Sequence, residues 1–532
     1  MTIVSDVEAR SGLQTVRLLS RRLATADVRY CHWKSNEHLR AAVEGDTDLD
    51  LLFDRVQRRA VTTLLEDVGF IHCPTPWFRR YPDIEDFVAV DLESGRLVHV
   101  HAHFDLVLGS TGVKEYRAPW AAMVIERRAL DPETGIYIAD AAQEVVLLLT
   151  REALKLKARG RALSTEATRE LAWLMQRSSL EAVREAIVEL LGDTAVEPVM
   201  RVLRSGADYR HLAELRSEIL PILKPFRRLG AAAVLTEPPR RRWAARIARL
   251  AGRVRRPVPS KRTVGSDGII IALTGVDGSG KSTVTGLIAA RLSSKLDVVR
   301  IYFGSGSGPR SLLRIGLEAV SRLARRAGGR SLPDRDVGWQ GRTSAGADGG
   351  RSSAGVVRRT MRCLRAIAIA REKRARLRWA RRARCAGAVV ICDRYPQADV
   401  AGYNDGPLLG DLLESPWRAL RAIGRWERAC YERARVCAPD LVVRLNVVPA
   451  VARSRRPEMA PDRIARKIVE FRAIRYPPTT VQVDVEASQP VDRVVVDVMK
   501  SFGQVLRARA SGRLRSVGSQ RRRRALSPLA NG

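Results

Sequence analysis

A chain of 532 residues is too long for one ordinary domain of about 100–200 residues, and its composition gives a formal charge of +35. Its longest apolar runs, Gly268 to Thr274 and Val145 to Leu149, fall far short of the roughly 20 residues that span a bilayer. The seven cysteines, at 31, 73, 363, 385, 392, 430 and 437, form no C-x-x-C pair, which argues against a disulfide framework and against a structural zinc site. The opening MTIVSDVEARSGL has no basic stretch followed by an apolar one, so it does not read as a secretory signal, and a cytoplasmic protein is the expectation. Of the 93 basic residues 11 are lysine and 82 arginine, a skew that a GC-rich coding sequence explains as well as a polyanion site does. With aromatic interleaving and base-reading motifs both absent, nucleic acid is not an expected partner.

Residues 1–139 alternate short β-like runs (Leu49 to Phe53, Phe87 to Val90, Leu97 to Phe104) with helical patterns, the signature of an α+β unit. Over 140–230 the period becomes helical, most clearly in AAQEVVLLLTREALKLK and LRSEILPILKPFRRLG, and predicts a helical extension. A break at Glu237-Pro238-Pro239 marks 231–264 as a basic linker. Within 240–256, Trp243, Ile247, Leu250 and Val254 recur at helical spacing among arginines. Such a stripe suits weak contact with an anionic membrane surface, packing on a neighbouring domain, or a solvated linker.

From Ile269 the order is strand, glycine loop, helix, strand (GIIIALTG, the loop, STVTGLIAARLSS, DVVRIYF), which predicts βαβ units of a doubly wound parallel sheet over 265–507. The Gly-, Ser- and Arg-rich stretch 328–355 reads as a disordered insertion, Val356 to Arg384 as a long basic helix, AVVICDRY and DLVVRLNV as further strands, and 508–532 as a disordered basic tail.

The loop TGVDGSGKSTV, Thr274 to Val284, satisfies G-x-x-x-x-G-K-[ST] between a buried strand and a helix. Gly275, Asp277, Gly278, Ser279, Gly280, Lys281, Ser282 and Thr283 are the expected ATP-binding residues. The glycines let backbone N–H groups turn toward phosphate, and the helix N-terminus adds positive potential. Lys281 is expected on the β/γ-phosphates and the Ser282 hydroxyl on Mg²⁺.

Together with CDRYP (Cys392 to Pro396), APDLVVRLNVVPAVARSRRPE and VQVDVEA, this loop resembles the thymidylate kinase family of nucleoside monophosphate kinases. The resemblance implies a P-loop NTPase fold, ATP and Mg²⁺ as cofactors, and a small phosphate-bearing acceptor. It puts Asp393 near Mg²⁺ and the transferring oxygens, and Arg394 on the acceptor phosphate. The family carries a catalytic arginine in the phosphate loop or in a lid. Gly278 holds the loop position here, so Arg453, Arg455 and Arg456 in the lid-like segment resemble the lid type; a solvated helix face is the other reading of those arginines. The acceptor-side Arg-Glu-Pro-Gly sequence of the family is replaced by Tyr302-Phe303-Gly304-Ser305-Gly306-Ser307-Gly308, and its later Ser and Ala-Tyr-Gln by Gln397-Ala398-Asp399 and Gly402-Tyr403-Asn404. Arg371, Arg374 and Arg378 are further candidates for the acceptor. The expected activity is ATP-dependent phosphoryl transfer to a dTMP-like acceptor; the alternatives are a kinase for another small acceptor linked to sugar-nucleotide or polysaccharide assembly, and an ATP-binding regulatory switch.

In the first unit, GDTDLDLLF sets Asp48 and Asp50 two apart in a strand, which points both carboxylates to one side, an arrangement suited to Mg²⁺ in nucleotidyl transfer. With HWKSNEHL and LVHVHAHFDLVLG, the segment resembles uncharacterised members of the polymerase β-like nucleotidyltransferase superfamily. Lys34-Ser35 stands where that superfamily has Gly-Ser or Gly-Gly. His101 stands at the expected third carboxylate, with Asp91 and Asp105 as substitutes. The readings are an active transferase, a degenerate nucleotide-binding domain and a plain acidic turn. His99, His101 and His103 alternate on one strand face and can ligate a metal, line the Asp48/Asp50 site, or sit partly buried as structural groups.

Overall fold

The computed structural model describes residues 11–156, 163–253, 258–304, 353–402 and 405–510. The chain forms two compact units, one from residues up to 254 with Val258–Gly265 and Leu506–Arg515, the other chiefly Ser266–Val505. Among the described residues no helix is long and apolar enough to cross a membrane.

The first unit holds strands β1 (Tyr30–His32), β2 (Leu49–Phe53), β3 (Ile71–His72), β4 (Ile84–Val90), β5 (Leu97–His103), β6 (Leu106–Leu108), β7 (Tyr116–Ala118), β8 (Ala129–Leu130) and β9 (Tyr137–Ile138). Seven of them make one mixed sheet in the order β3-β4-β5-β2-β1-β9-β8, and β6 pairs β7 apart from it. Side chains alternate along a strand, and β5 uses that alternation fully. Val98, Val100 and Ala102 are wholly buried in a core with Leu49, Leu51, Phe53 and Phe87, so His99, His101 and His103 are driven to the opposite face. On that face Asp50 of parallel β2 and Asp86 of antiparallel β4 both stand opposite His101.

The helices over 140–230 share a core with the sheet. Ala141–Lys155, Thr165–Met175, Leu180–Leu191 and Tyr209–Leu223 begin at Asp140, Ser164, Ser179 and Asp208, whose side chains accept from the N–H groups of Gln143, Ala167, Ala182 and His211. These caps satisfy donors that the first helical turn leaves open. Val145 to Leu149 are all fully buried, which requires neighbours around the whole helix, and the same core contains Cys31, Trp33 and Leu52 of the sheet. The segment expected as a linker contains a helix, Ala231–Arg253, that runs through Pro238 and Pro239. Glu237 accepts from Arg240 and Arg241 in its next turn, and those arginines lie over the rings of Trp77 and Tyr81. These contacts offset the backbone bonds that the prolines remove. Trp243, Ile247 and Leu250 of this helix are exposed, and Val254 lies outside the described residues.

The second unit is an α/β layer around five parallel strands, β10 (Ile269–Gly275), β11 (Val298–Tyr302), β12 (Val389–Asp393), β13 (Leu441–Asn446) and β14 (Val481–Glu486), ordered β11-β12-β10-β13-β14. Ile269 to Leu273 have no exposure, as a central strand covered on both faces requires. The chain leaves β10 toward β11 on one side and later lays β13 on the other, so the carboxyl end of β10 is a topological switch point, where open α/β sheets form their ligand crevice. The expected insertion lies outside the described residues except for Ser353 to Gly355, which open the helix Ser353–Cys385. The expected tail joins the helix Val491–Ala510 for its first three residues, and the rest of it lies outside the described residues.

Candidate functional site

The loop after β10 leads into the helix Lys281–Ser293. Gly275, Gly278 and Gly280 have φ of +154°, +86° and +81°, values a side chain strains. At Gly275 a Cβ would also stand 2.6 Å from Ser279 Oγ and 2.7 Å from the Leu445 carbonyl, so the loop can fold back on its own sheet only without one. Lys281 donates to the Val276 carbonyl at 2.6 Å and to Ser279 Oγ at 3.3 Å. Burial, and then the nearby Arg394 charge, push its ammonium down to about 7.

Asp393 ends β12 directly beside β10. The Ser282 hydroxyl donates to Asp393 Oδ2 at 2.6 Å, while Asp393 Oδ1 is buried with no hydrogen-bond partner. An orphaned carboxylate oxygen next to a serine hydroxyl is a donor set suited to Mg²⁺. Arg394, at φ +69°, turns its guanidinium toward the loop: Nη2 donates to Asp277 Oδ1 at 2.6 Å and Nη1 lies 3.5 Å from Asp405 Oδ2. With Thr274, Gly275, Tyr395, Asp405, Phe471, Ile474 and Tyr476 it lines a small cavity at the switch point.

The lid-like segment forms the helices Pro449–Arg455 and Pro461–Ala473. Arg455 Nη1 donates to the Gly278 carbonyl at 3.2 Å and to the Ala487 carbonyl at 3.1 Å. Arg453 and Thr283 are exposed, and Arg456 pairs with Glu458. Of the three lid arginines the structure therefore brings Arg455 to the loop. A Cβ at Gly278 would stand 2.8 Å from the Ala452 carbonyl, so the helix that carries Arg455 occupies the space a loop side chain would need.

Three cations and one carboxylate of this site escaped the sequence reading. Lys467 reaches the second oxygen of Asp277, Lys373 donates to the Asp405 carbonyl at 2.8 Å, Arg376 donates to the Tyr302 carbonyl at 2.7 Å, and Asp405 joins Lys373 to Arg394. Arg371 and Arg378 are instead exposed, Arg374 bonds to Cys430, and Arg378 borders a separate depression with Trp379 and Arg382. A signal was available, because Lys373 and Arg376 fall on the stripe of Ala366, Ile369, Ala370, Leu377 and Ala380, and Lys467 lies between buried Ile464 and Phe471. A cation on an apolar stripe is placed inward. Gln397 is held by Val400, Asp399 pairs with Arg435, and Ser305 to Gly308, Tyr403 and Asn404 lie outside the described residues.

In the first unit the histidine face is a network. His99 Nδ1 is 2.9 Å from Asp48 and its Nε2 is 2.9 Å from Asp86. Asp50 Oδ1 is 2.9 Å from Lys34 Nζ, 3.0 Å from His101 Nδ1 and 3.3 Å from His103 Nε2. Burial opposes the charge on Asp50, yet Lys34 and then the two imidazoles hold its carboxyl well below the usual range. Burial pushes His101 and His103 down, while the two carboxylates on His99 overcome its burial and raise it. Asp48 faces the His99 imidazole, and Asp50 faces the Lys34 ammonium and two imidazoles, whereas Mg²⁺ takes oxygen ligands. Asp86, not Asp91 or Asp105, is the third carboxylate of this face. Asp91 caps Thr15 and Ser94, and Asp105 pairs with Arg55 and Arg117. Ser35 has φ +56°, the conformation glycine would adopt freely, but its N–H and that of Asn36 are taken by Glu170 and Glu144.

The β10 loop, its helix and the parallel sheet form an α/β unit with a G-x-x-x-x-G-K-S loop at its topological switch point. No protein-family profile matches the chain. Among curated proteins, the uncharacterized ATP-binding protein YghR of Escherichia coli (strain K12) is 28% identical over 239 residues, 44% of this chain and 87% of the relative. YghS of the same strain, also described as an uncharacterized ATP-binding protein, is 27% identical over 244 residues, 44% of this chain and 93% of the relative. Among solved structures, a deoxyadenosine kinase from M. mycoides with bound dATP aligns over 44% of this chain and 99% of its own, with a TM-score of 0.23 and 14% identity.

Proposed function

We propose that the second unit transfers the γ-phosphoryl group of ATP to a phosphate-bearing acceptor, a dTMP-like nucleoside monophosphate first, in the manner of thymidylate kinases. The observation that carries this reading is the position of Arg394, which is bonded to Asp277 of the phosphate loop and also lines the cavity with Tyr395, Phe471 and Tyr476. Opened to admit an acceptor, that site would present a fixed guanidinium to a phosphate and aromatic side chains to a flat ring. An acceptor phosphate oxygen attacks the γ-phosphorus, the bond to the β–γ bridging oxygen breaks, and ADP leaves with that electron pair. Lys281 and the loop amides neutralise the donor phosphates, Arg394 aligns the acceptor, and Arg455 and Lys467 flank the transferring group; this is positioning and charge stabilisation rather than covalent catalysis. Ser282 and Asp393 would hold Mg²⁺, which supplies positive charge to the β- and γ-oxygens when bound.

The first unit is proposed as a nucleotidyltransferase-like module whose backbone donors at Ser35 and Asn36 are already spent on carboxylates, which favours the degenerate form. The seven cysteines are free thiols, in keeping with a cytoplasmic setting. A second acceptor class, a small sugar-linked phosphate, is favoured by Tyr302-Phe303-Gly304 standing where the thymidylate kinases place Arg-Glu-Pro-Gly. Purified protein with Mg-ATP and a panel of nucleoside monophosphates and sugar phosphates, read for ADP and phosphorylated product, tests the proposal. Phosphorylated dTMP supports it, a sugar-phosphate product moves it to the second class, and ADP release without any phosphorylated acceptor overturns it in favour of a regulatory ATPase.

A further inference from the structure

The histidine face of the first unit presents a donor set that neither the phosphate site nor its chemistry uses. Asp50 of β2 stands opposite His101 of β5, and His103 follows two residues on, on the same face. Asp50 Oδ1 is 3.0 Å from His101 Nδ1 and 3.3 Å from His103 Nε2, and one ligand atom from each of the three residues lies within 4.8 Å of the others. Ligands held about 2.0–2.1 Å from a tetrahedral dication are separated by about 3.3 Å, and the two edges from Asp50 lie close to that value.

The surroundings match as well. His101 turns its other nitrogen, Nε2, toward Asp86 at 3.8 Å, and Asp86 is itself fixed by Arg262 at 2.8 Å, by Thr75 at 2.7 Å and by His99. At that distance Asp86 acts on the ring through its charge, which raises the basicity of a ligating imidazole. His103 is 1% exposed, its Nδ1 has no hydrogen-bond partner, and its ring stands edge-on to Trp33. This packing fixes the ring with Nε2 toward Asp50. Lys34 Nζ, 2.9 Å from Asp50 Oδ1, supplies the positive charge that this carboxylate faces here.

We propose that Asp50, His101 and His103 bind a Zn²⁺-class dication, with the Lys34 ammonium as the counter-ion that the metal displaces. Two imidazoles and one carboxylate select a borderline metal over Mg²⁺, and three protein ligands leave a fourth position open for water or an anionic ligand.

Full-length protein without a polyhistidine tag, titrated with Co²⁺ in the absence of nucleotide, tests this through the visible absorption of the bound ion. The expected result is one Co²⁺ per chain, displaced by Zn²⁺ but not by about thousandfold excess Mg²⁺. His101, with a side chain one-fifth exposed, is the ligand to remove with least damage to the fold. His101→Ala should weaken binding at least about tenfold with an unchanged thermal melt, whereas His211→Ala, outside the cluster, should leave it unchanged. Lys34→Ala should tighten it by removing the competing charge. No Co²⁺ uptake by the wild-type chain, or uptake by His101→Ala within about twofold of wild type, a change too small for a lost ligand, overturns the proposal.

Discussion

Arg394 Nη2 donates to Asp277 Oδ1 at 2.6 Å, and Lys467 takes the other oxygen of the same carboxylate. One acidic side chain in the phosphate loop therefore gathers a cation from the end of β12 and another from the helix Pro461–Ala473. Burial opposes the charge on Asp277, but Arg394, Lys467 and Lys281 together hold its carboxyl far below the usual range. Carboxylates that gather cations in this way keep them positioned for a polyanion.

If Arg394 serves the acceptor, its loss separates acceptor turnover from ATP binding. Arg394→Lys keeps the charge but removes the planar fork that grips phosphate. Its kcat/KM for the acceptor should fall about 10²–10³-fold, the scale of one lost transition-state donor, with the Kd for ATP within about threefold of wild type. Steady-state ADP release and calorimetry measure the two. A parallel loss of ATP affinity would place Arg394 on the donor side.

Gly278 is required by conformation and by space. Gly278→Ala meets a left-handed backbone, which costs about 1–2 kcal/mol, and a Cβ 2.8 Å from the Ala452 carbonyl. Gly280→Ala meets the left-handed backbone alone, with nothing within 4 Å. Strain alone should lower the melting temperature of Gly280→Ala by about 2–8 °C. Gly278→Ala should fall further and also lose turnover, as the helix bearing Arg455 is pushed from the loop. Equal melting temperatures for the two variants would show that the Ala452 contact carries no cost.

The phosphate loop was legible because its glycines, lysine and serine are contiguous and their spacing is itself the mechanism. Asp393 and Arg394 were reached through the resemblance to the thymidylate kinases, which places such a pair after an apolar strand. What could not be read was whatever depends on pairing between distant segments. Asp86 reaches His101 only because β4 pairs with β5 in one register, and nothing in β4 alone distinguishes it from Asp91 or Asp105. The expectation for Arg371, Arg374 and Arg378 followed charge, whereas burial of the helix face selects Lys373 and Arg376. The Pro238-Pro239 pair argues for a break when read locally, yet the helix continues because Glu237, Trp77 and Tyr81 hold its arginines.

Asp393 and Ser282 should set the metal requirement of turnover. Asp393→Asn keeps the shape but leaves a neutral amide where the buried, unpartnered Oδ1 now stands. A lost charged ligand weakens Mg²⁺, so the concentration for half-maximal turnover should rise at least about tenfold. Chelation should abolish turnover in the wild-type protein, and added Mg²⁺ should restore it. A variant with the wild-type Mg²⁺ dependence would remove Asp393 from the metal site.

Lys281 should make nucleotide binding depend on pH, with a sign fixed by its environment. In the nucleotide-free protein burial and Arg394 push its ammonium down to about 7, while a bound polyphosphate favours the charged form. Below about pH 7 the lysine is already protonated and this group adds no pH dependence to binding. Above it the free protein has lost the proton and must take one up to bind, so ATP affinity should fall by up to about tenfold per pH unit until the bound lysine itself titrates. Stability of the nucleotide-free fold runs the other way. Its lysine binds fewer protons than the unfolded chain between about pH 7 and the ordinary lysine value, so this contribution grows as pH rises through that window. Calorimetry of ATP binding at pH 8.5, in two buffers of different ionisation heat, should report uptake approaching one proton, and Lys281→Met should bind weakly with no uptake from this group. Binding to the wild-type protein with no proton uptake at that pH would mean the lysine is charged before the nucleotide arrives.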